Sequence, residues 1–194
     1  MFAAREGAED DAEAGARGVR EADVSARDFV LGITASGATA YVLGALREAT
    51  RRGAATAAIV CNEPPPDFPA GTVIHLPTGP EVLAGSTRMK AGSATKMVLN
   101  TISLAAMVRL GKVHGNRMVD LRVGSAKLRE RARRLVAELG CVDAACADAA
   151  LVAAGGHAKL AILMVRAGLD AAAARARLDA SAGSLRAALG ETRG

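Results

Sequence analysis

Residues 29–53 read FVLGITASGATAYVLGALREATRRG. The run Phe29 to Ala35 is apolar and rich in β-formers, and it stops at Ser36-Gly37, the pattern of a buried parallel strand entering a tight loop. Ala38 to Arg52 then carries Tyr41, Val42, Leu46 and Ala49 on one side, with Gly53 as its stop, which predicts a helix. A strand, a glycine loop and a helix in that order put the loop at the carboxyl end of a strand, where open α/β sheets bind ligands. Ser36, Gly37 and Thr39 are therefore candidate contacts to phosphate or sugar oxygens, and helix capping is the structural reading of the same residues.

Two more strands are predicted downstream, Thr56 to Cys61 (TAAIVC) and Val73 to Leu76 (VIHL), separated by the rigid turn Glu63-Pro64-Pro65-Pro66. Strands alternating with helices imply βαβ units and a mostly parallel sheet, so the fold class is α/β. His75 falls inside a strand pattern and reads as structural. Residues 79–100 follow, GPEVLAGSTRMKAGSATKMVLN. A small-residue loop, Ala84 to Thr87, leads to Arg88, Lys90 and a helix whose apolar positions (Met89, Met97, Leu99, Ile102, Leu104, Met107, Leu110) predict an amphipathic or largely buried element. Amides and hydroxyls at such a helix start, with two cations within a turn, suit an anion. Ser86, Thr87, Arg88 and Lys90 are thus candidate substrate contacts, while Glu81 reads either as a ligand contact or as a cap or ion-pair partner of Arg88 or Lys90.

Gly111 to Gly115 punctuates the chain, with His114 in a turn and read as solvated or as a contact across a subunit boundary. A helix is predicted over 116–139, anchored by Met118, Leu121, Leu128 and Leu135. From Gly140 the composition becomes alanine-rich, with short helices predicted over 142–154, 157–167, 171–180 and 184–189. The shift sets an expected boundary between a domain over 1–139 and a small helical domain over 140–194. Alanine helices bring propensity but little side-chain burial, so this end is expected to be less stable than the sheet.

Composition narrows the function classes. Half of the 194 residues are hydrophobic, with no Trp, one Tyr and three Phe, so the core must be built from aliphatic side chains. That scarcity argues against base stacking on aromatic platforms. Between Ser86 and Leu135 twelve Arg or Lys face only Asp120 and Glu130, a stripe that reads as a solvated face or as an attraction for an anionic metabolite or nucleic acid. Three cysteines (Cys61, Cys141, Cys146) lack metal-like spacing and fit a reducing cytoplasm. No apolar run reaches the ~20 residues of a membrane span, and no signal-peptide pattern opens the chain.

The wording of the central stretch goes further than its spacing. GPEVLAGSTRMKAGSATKMVLN, followed by LGKVHGNRMVDL, resembles the N-acetylmuramic acid 6-phosphate etherases, members of the sugar isomerase (SIS) fold family. The likeness runs from about Glu6 to the end. Glu6-Gly7-Ala8-Glu9-Asp10 looks like the family's EGAED segment, whose second Glu is one of two acid–base carboxylates; that residue is Glu9 here. Where the family carries ASGRTPY, this chain has Ala38 and Ala40 in place of Arg and Pro, which removes a cation beside the phosphate loop. The resemblance puts the family's other catalytic Glu and its first glycine-rich phosphate loop upstream of the EGAED segment. The chain is accordingly expected to be a carboxyl-terminal portion: a partial SIS sugar-phosphate-binding domain over 1–139 and, over 140–194, a helical module resembling ubiquitin-associated domains.

Elimination across C2 and C3 of the open-chain sugar phosphate, then water addition, is what the resemblance implies, with D-lactate as the leaving group. Two carboxylates suffice for that chemistry without metal or organic cofactor. SIS domains generally pair, so a homodimer is expected, with the central helix as interface and no nucleic-acid or membrane partner. Two other readings stay open: a non-catalytic sugar-phosphate-binding or regulatory protein, and a basic helical nucleic-acid binder.

Overall fold

The computed structural model describes residues 7–191, so Glu6 lies outside the described residues. By contact the chain divides into two compact units, Met1–Asn100 and Thr101–Gly194.

In the first unit a turn of 3-10 helix, Ala8–Asp10, leads into α1 (Ala12–Glu21), which Asp11 caps by accepting the Ala14 N–H at 2.8 Å. Then come β1 (Phe29–Thr34), α2 (Ala40–Arg51), β2 (Ala55–Val60) and β3 (Thr72–His75). The three strands form one parallel sheet in the order β1-β2-β3, with Phe29 opposite Ala55 and Ala57 opposite Thr72. Helix α2 closes one face: Leu46 is fully buried with Ala58, Val60 and Phe68. Gly32 sits beneath it because a Cβ there would lie 2.7 Å from Val42 Cγ1 and 2.9 Å from Leu46 Cδ1. Helix α1 crosses α2 so closely that a Cβ on Gly15 would lie 2.0 Å from the Tyr41 carbonyl oxygen, and one on Gly44 2.0 Å from that of Ala12. Glu48, buried in α2, is paid back for lost hydration by Arg51 at 2.6 Å and Arg52 at 3.6 Å. His75, at the end of β3, is half-buried with Nδ1 3.5 Å from Glu63.

Helix α3 (Lys90–Arg109) departs from expectation. Ala91 is its one buried residue, while Leu104 and Val108 are 62% and 50% exposed. Its apolar residues fall all round the helix rather than along one stripe, so no single packing face can bury them.

After the end of α3 the second unit carries a hairpin, β4 (Val113–His114) antiparallel to β5 (Arg117–Met118), turning at Gly115 with φ 57°. This corrects the helix predicted over 116–139. The Val119 amide returns to the Lys112 carbonyl, the Leu121 amide turns back to the Val119 carbonyl, and α4 (Ala126–Gly140) starts only after Ser125, whose hydroxyl accepts the Leu128 N–H. His114 is not solvated as read: its side chain is 12% exposed, with Nε2 3.5 Å from Glu191. The alanine-rich end forms α5 (Ala144–Ala153), α6 (Ala158–Ala167), α7 (Ala171–Ala180) and α8 (Leu185–Leu189), with Asp143, Asp170 and Ser184 capping α5, α7 and α8. Their core gathers on α6, where Ala161, Ile162 and Leu163 are fully buried among Val136, Leu151 and Leu185. Because Leu135 and Val136 belong to this core, α4 packs with the helices after the composition shift at residue 140. Among the described residues no helix is long and apolar enough to cross a membrane.

Candidate functional site

The site is built from the residues that leave the three strands at their carboxyl ends. β1 ends on Thr34, 4% exposed, whose hydroxyl organises the following loop. It accepts the Gly37 N–H at 3.1 Å and lies 2.8 Å from the Thr39 hydroxyl and 3.3 Å from that of Ser36. Ser36 in turn accepts the Ala38 N–H at 3.1 Å. Gly37 holds φ 78°, a left-handed conformation that favours glycine. Thr39 is the N-cap of α2, yet its side chain caps nothing there, being spent on Thr34. The α2 amino terminus therefore presents its first N–H groups without a side-chain cap, at the electropositive end of the helix.

The neighbouring strand is pinned to the same loop. The Cys61 and Asn62 N–H groups both donate to the Ala35 carbonyl at 3.1 Å, and the Leu76 N–H donates to the Val60 carbonyl at 2.8 Å. The chain then turns through Gly79 and Gly85, both with positive φ, into α3. Glu81 caps that helix from a distance: its carboxylate accepts the Lys90 N–H at 3.0 Å and the Ala91 N–H at 3.1 Å. Those two amides hold the Glu81 carboxyl below its ordinary range. The anion at the start of α3 is thus the protein's own carboxylate, and the Lys90 ammonium lies 2.8 Å from the Pro80 carbonyl.

Between these strand ends lies a cleft of about 290 Å³, lined by Ser36, Cys61, Asn62, Thr78, Glu81 and Thr87 and by the small residues Ala35, Gly79, Ala84, Gly85 and Ala91. The structure brings three of the predicted residues to it: Ser36, Glu81 and Thr87. Gly37 and Thr39 stay in the Thr34 network, and Ser86, Arg88 and Lys90 do not line the cleft. Ser86 closes a turn, its N–H donating to the Leu83 carbonyl. Glu9 stands exposed on the 3-10 turn, which packs against α2 and is not part of the lining. Sequence reasoning missed Thr34, Cys61, Asn62 and Thr78. Cys61 ends a predicted strand, Thr34 stands one residue before the end of another, and Asn62 and Thr78 follow one closely, which is the signal that would have found them.

Part of the basic stripe is paired in the second unit. Arg133 and Arg134 both pair with Glu130, Arg117 with Glu138, and Lys112 with Asp120.

No family model matches the chain. It is 51% identical over 197 residues to an N-acetylmuramic acid 6-phosphate etherase from Rubrobacter xylanophilus, covering all of this chain and 64% of that protein. To proteins of the same name from Mycolicibacterium smegmatis and Deinococcus radiodurans it is 50% and 48% identical, over 95% and 96% of this chain and 62% and 61% of theirs. The chain thus spans a little under two thirds of the length of the curated relatives it matches.

Proposed function

We propose that the chain, about half identical over its whole length to N-acetylmuramic acid 6-phosphate etherases, belongs with them and acts as a carbon–oxygen lyase on N-acetylmuramic acid 6-phosphate, releasing D-lactate and leaving N-acetylglucosamine 6-phosphate. Identity of about half over the whole chain carries this reading. The cleft supports it, since hydroxyls and a carboxamide at the carboxyl ends of parallel strands suit a sugar, and the α2 amino terminus beside Ser36 suits a phosphate.

The reaction takes a proton from C2 of the open-chain sugar and breaks the C3–O bond. The electron pair leaves on the lactate oxygen, which is protonated by an acid. Water then adds across the C2–C3 double bond, returning a proton to C2 and a hydroxyl to C3. Glu9 is the proposed acid–base carboxylate. Ser36, Gly37 and Thr39 would position the phosphate, and Thr87, with the Ser86 to Lys90 loop, the sugar. Glu81 would contribute by fixing the start of α3, whose amides it binds. We place the protein in muramic acid salvage in the cytoplasm, as a SIS-type homodimer. Leu104, Met107 and Val108 on α3 supply exposed apolar surface for pairing.

One observation favours a second reading, sugar-phosphate binding without turnover. Among the described residues Glu81 is the carboxylate that lines the cleft, and it is committed to backbone amides, while Glu9 does not line it. D-lactate release from N-acetylmuramic acid 6-phosphate by the purified chain separates the two. Lactate that disappears in Glu9→Gln supports the lyase, and protection against heating by the sugar phosphate with no lactate supports binding alone.

A further inference from the structure

We infer that Thr34 is a positioning residue for the ligand's phosphate, turning the Thr39 hydroxyl from a helix cap into a hydrogen-bond donor. The inference rests on the reading that a sugar phosphate sits at the strand ends with its phosphate at the start of α2. The loop between β1 and α2, Ala35 to Thr39, holds no charged side chain, so it offers an anion hydroxyls and amides alone. The direction of each hydroxyl proton therefore decides whether the loop attracts an anion or repels it. A threonine at the N-cap ordinarily accepts from the helix amides, which would consume those donors and turn an oxygen lone pair towards the anion.

The surroundings of Thr34 fix that direction. Its side chain is 4% exposed, so its hydroxyl proton must go to a protein acceptor rather than to water. Its oxygen already accepts the Gly37 N–H at 3.1 Å, and the Thr39 hydroxyl at 2.8 Å is a closer acceptor than that of Ser36 at 3.3 Å. With the Thr34 proton on its oxygen, Thr39 keeps its own proton free, and among the described residues no other group bonds its side chain. Thr39 is half-buried and stands outside the cleft lining, at the opening of α2, whose first helical bond runs from the Leu43 N–H to the Thr39 carbonyl at 3.1 Å. The amides ahead of that bond carry no side-chain cap, so they and the Thr39 hydroxyl present donors together to one phosphate. The order is Gly37 N–H to Thr34, Thr34 O–H to Thr39 and Thr39 O–H to phosphate, each bond polarising the next.

The test is titration calorimetry with N-acetylglucosamine 6-phosphate on the full chain, on Thr34→Val, Thr34→Ser and Thr39→Val, and on the variant combining Thr34→Val with Thr39→Val. Expected is about 10-fold weaker binding in Thr34→Val, the low end of a hydrogen bond to a charged group, with Thr34→Ser, which keeps the hydroxyl, close to the parent. Thr39→Val should weaken binding as much and the combined variant no further, because both changes act through one hydroxyl. If Thr34 only supports the fold, Thr34→Val will weaken the ligand equally with and without the Thr39 hydroxyl, and that result overturns the assignment while the phosphate reading stands. A Thr34→Val variant that binds like the parent does the same. Thr39 is half-buried and caps nothing, so Thr39→Val tests the relay even where Thr34→Val fails to fold, and parent-like binding there overturns it. If the folded parent does not bind the sugar phosphate, the reading beneath falls as well.

Discussion

Thr34 and Glu81 hold the two sides of the cleft by different means. Thr34 joins a strand end to a helix start through one buried hydroxyl. Replacing it with valine keeps shape and strand preference but leaves the Gly37 N–H without its acceptor, and should cost about 1–3 kcal/mol in urea denaturation. An unchanged midpoint would show that the loop is held by something else. Glu81 acts through charge. Its carboxyl is held low by the Lys90 and Ala91 amides, so its stabilisation is complete above the unfolded-state pKa of about 4.3 and is lost as pH falls through the lower folded value. The stability gap between the parent and Glu81→Gln should therefore be flat above about pH 5 and shrink on acidification. A gap that widens at low pH would contradict the cap. In the sequence Ser36 and Glu81 were legible as loop residues, with Glu81's capping role one of its two readings. Thr34 and Asn62 were not, because β-propensity accounts for a strand-terminal threonine, and an asparagine before a proline turn reads as punctuation.

At the scale of elements, the three strands lie within a residue of their expected limits, since apolar runs bounded by Gly and Pro mark buried strands well. The β4–β5 hairpin was invisible because two-residue strands carry no periodicity. Helix α3 misled in the opposite way, as apolar content suggested burial without a stripe to bury. The crossing of α1 on α2 was also hidden, although Gly15 and Gly44 in helical runs were its trace. Gly44→Ala should destabilise the chain despite alanine's better helix propensity, by about 1–3 kcal/mol from overpacking against the Ala12 carbonyl. A neutral or stabilising result in thermal unfolding would mean that the helices separate at little cost.

For the whole molecule, composition pointed the wrong way about where burial lies. The sheet unit's buried clusters are small, centred on Leu46 and on Ala49, whereas the helical unit owns the larger one around Ile162 and Leu163. Leucines spaced among the alanines supply that core, and an alanine count does not show it. Amide exchange should thus be at least as slow in α6 as in β1, reversing the expectation drawn from composition. Faster exchange throughout α6 would restore it. Light scattering should give a dimer or a larger species, and a monomer mass would remove α3 as a pairing surface. Hydrogen exchange with and without N-acetylglucosamine 6-phosphate tests most directly whether the strand ends form the ligand site. Slowed exchange confined to residues 35–42, 61–62 and 78–91 is the predicted result, and a footprint that leaves those amides unchanged would contradict it.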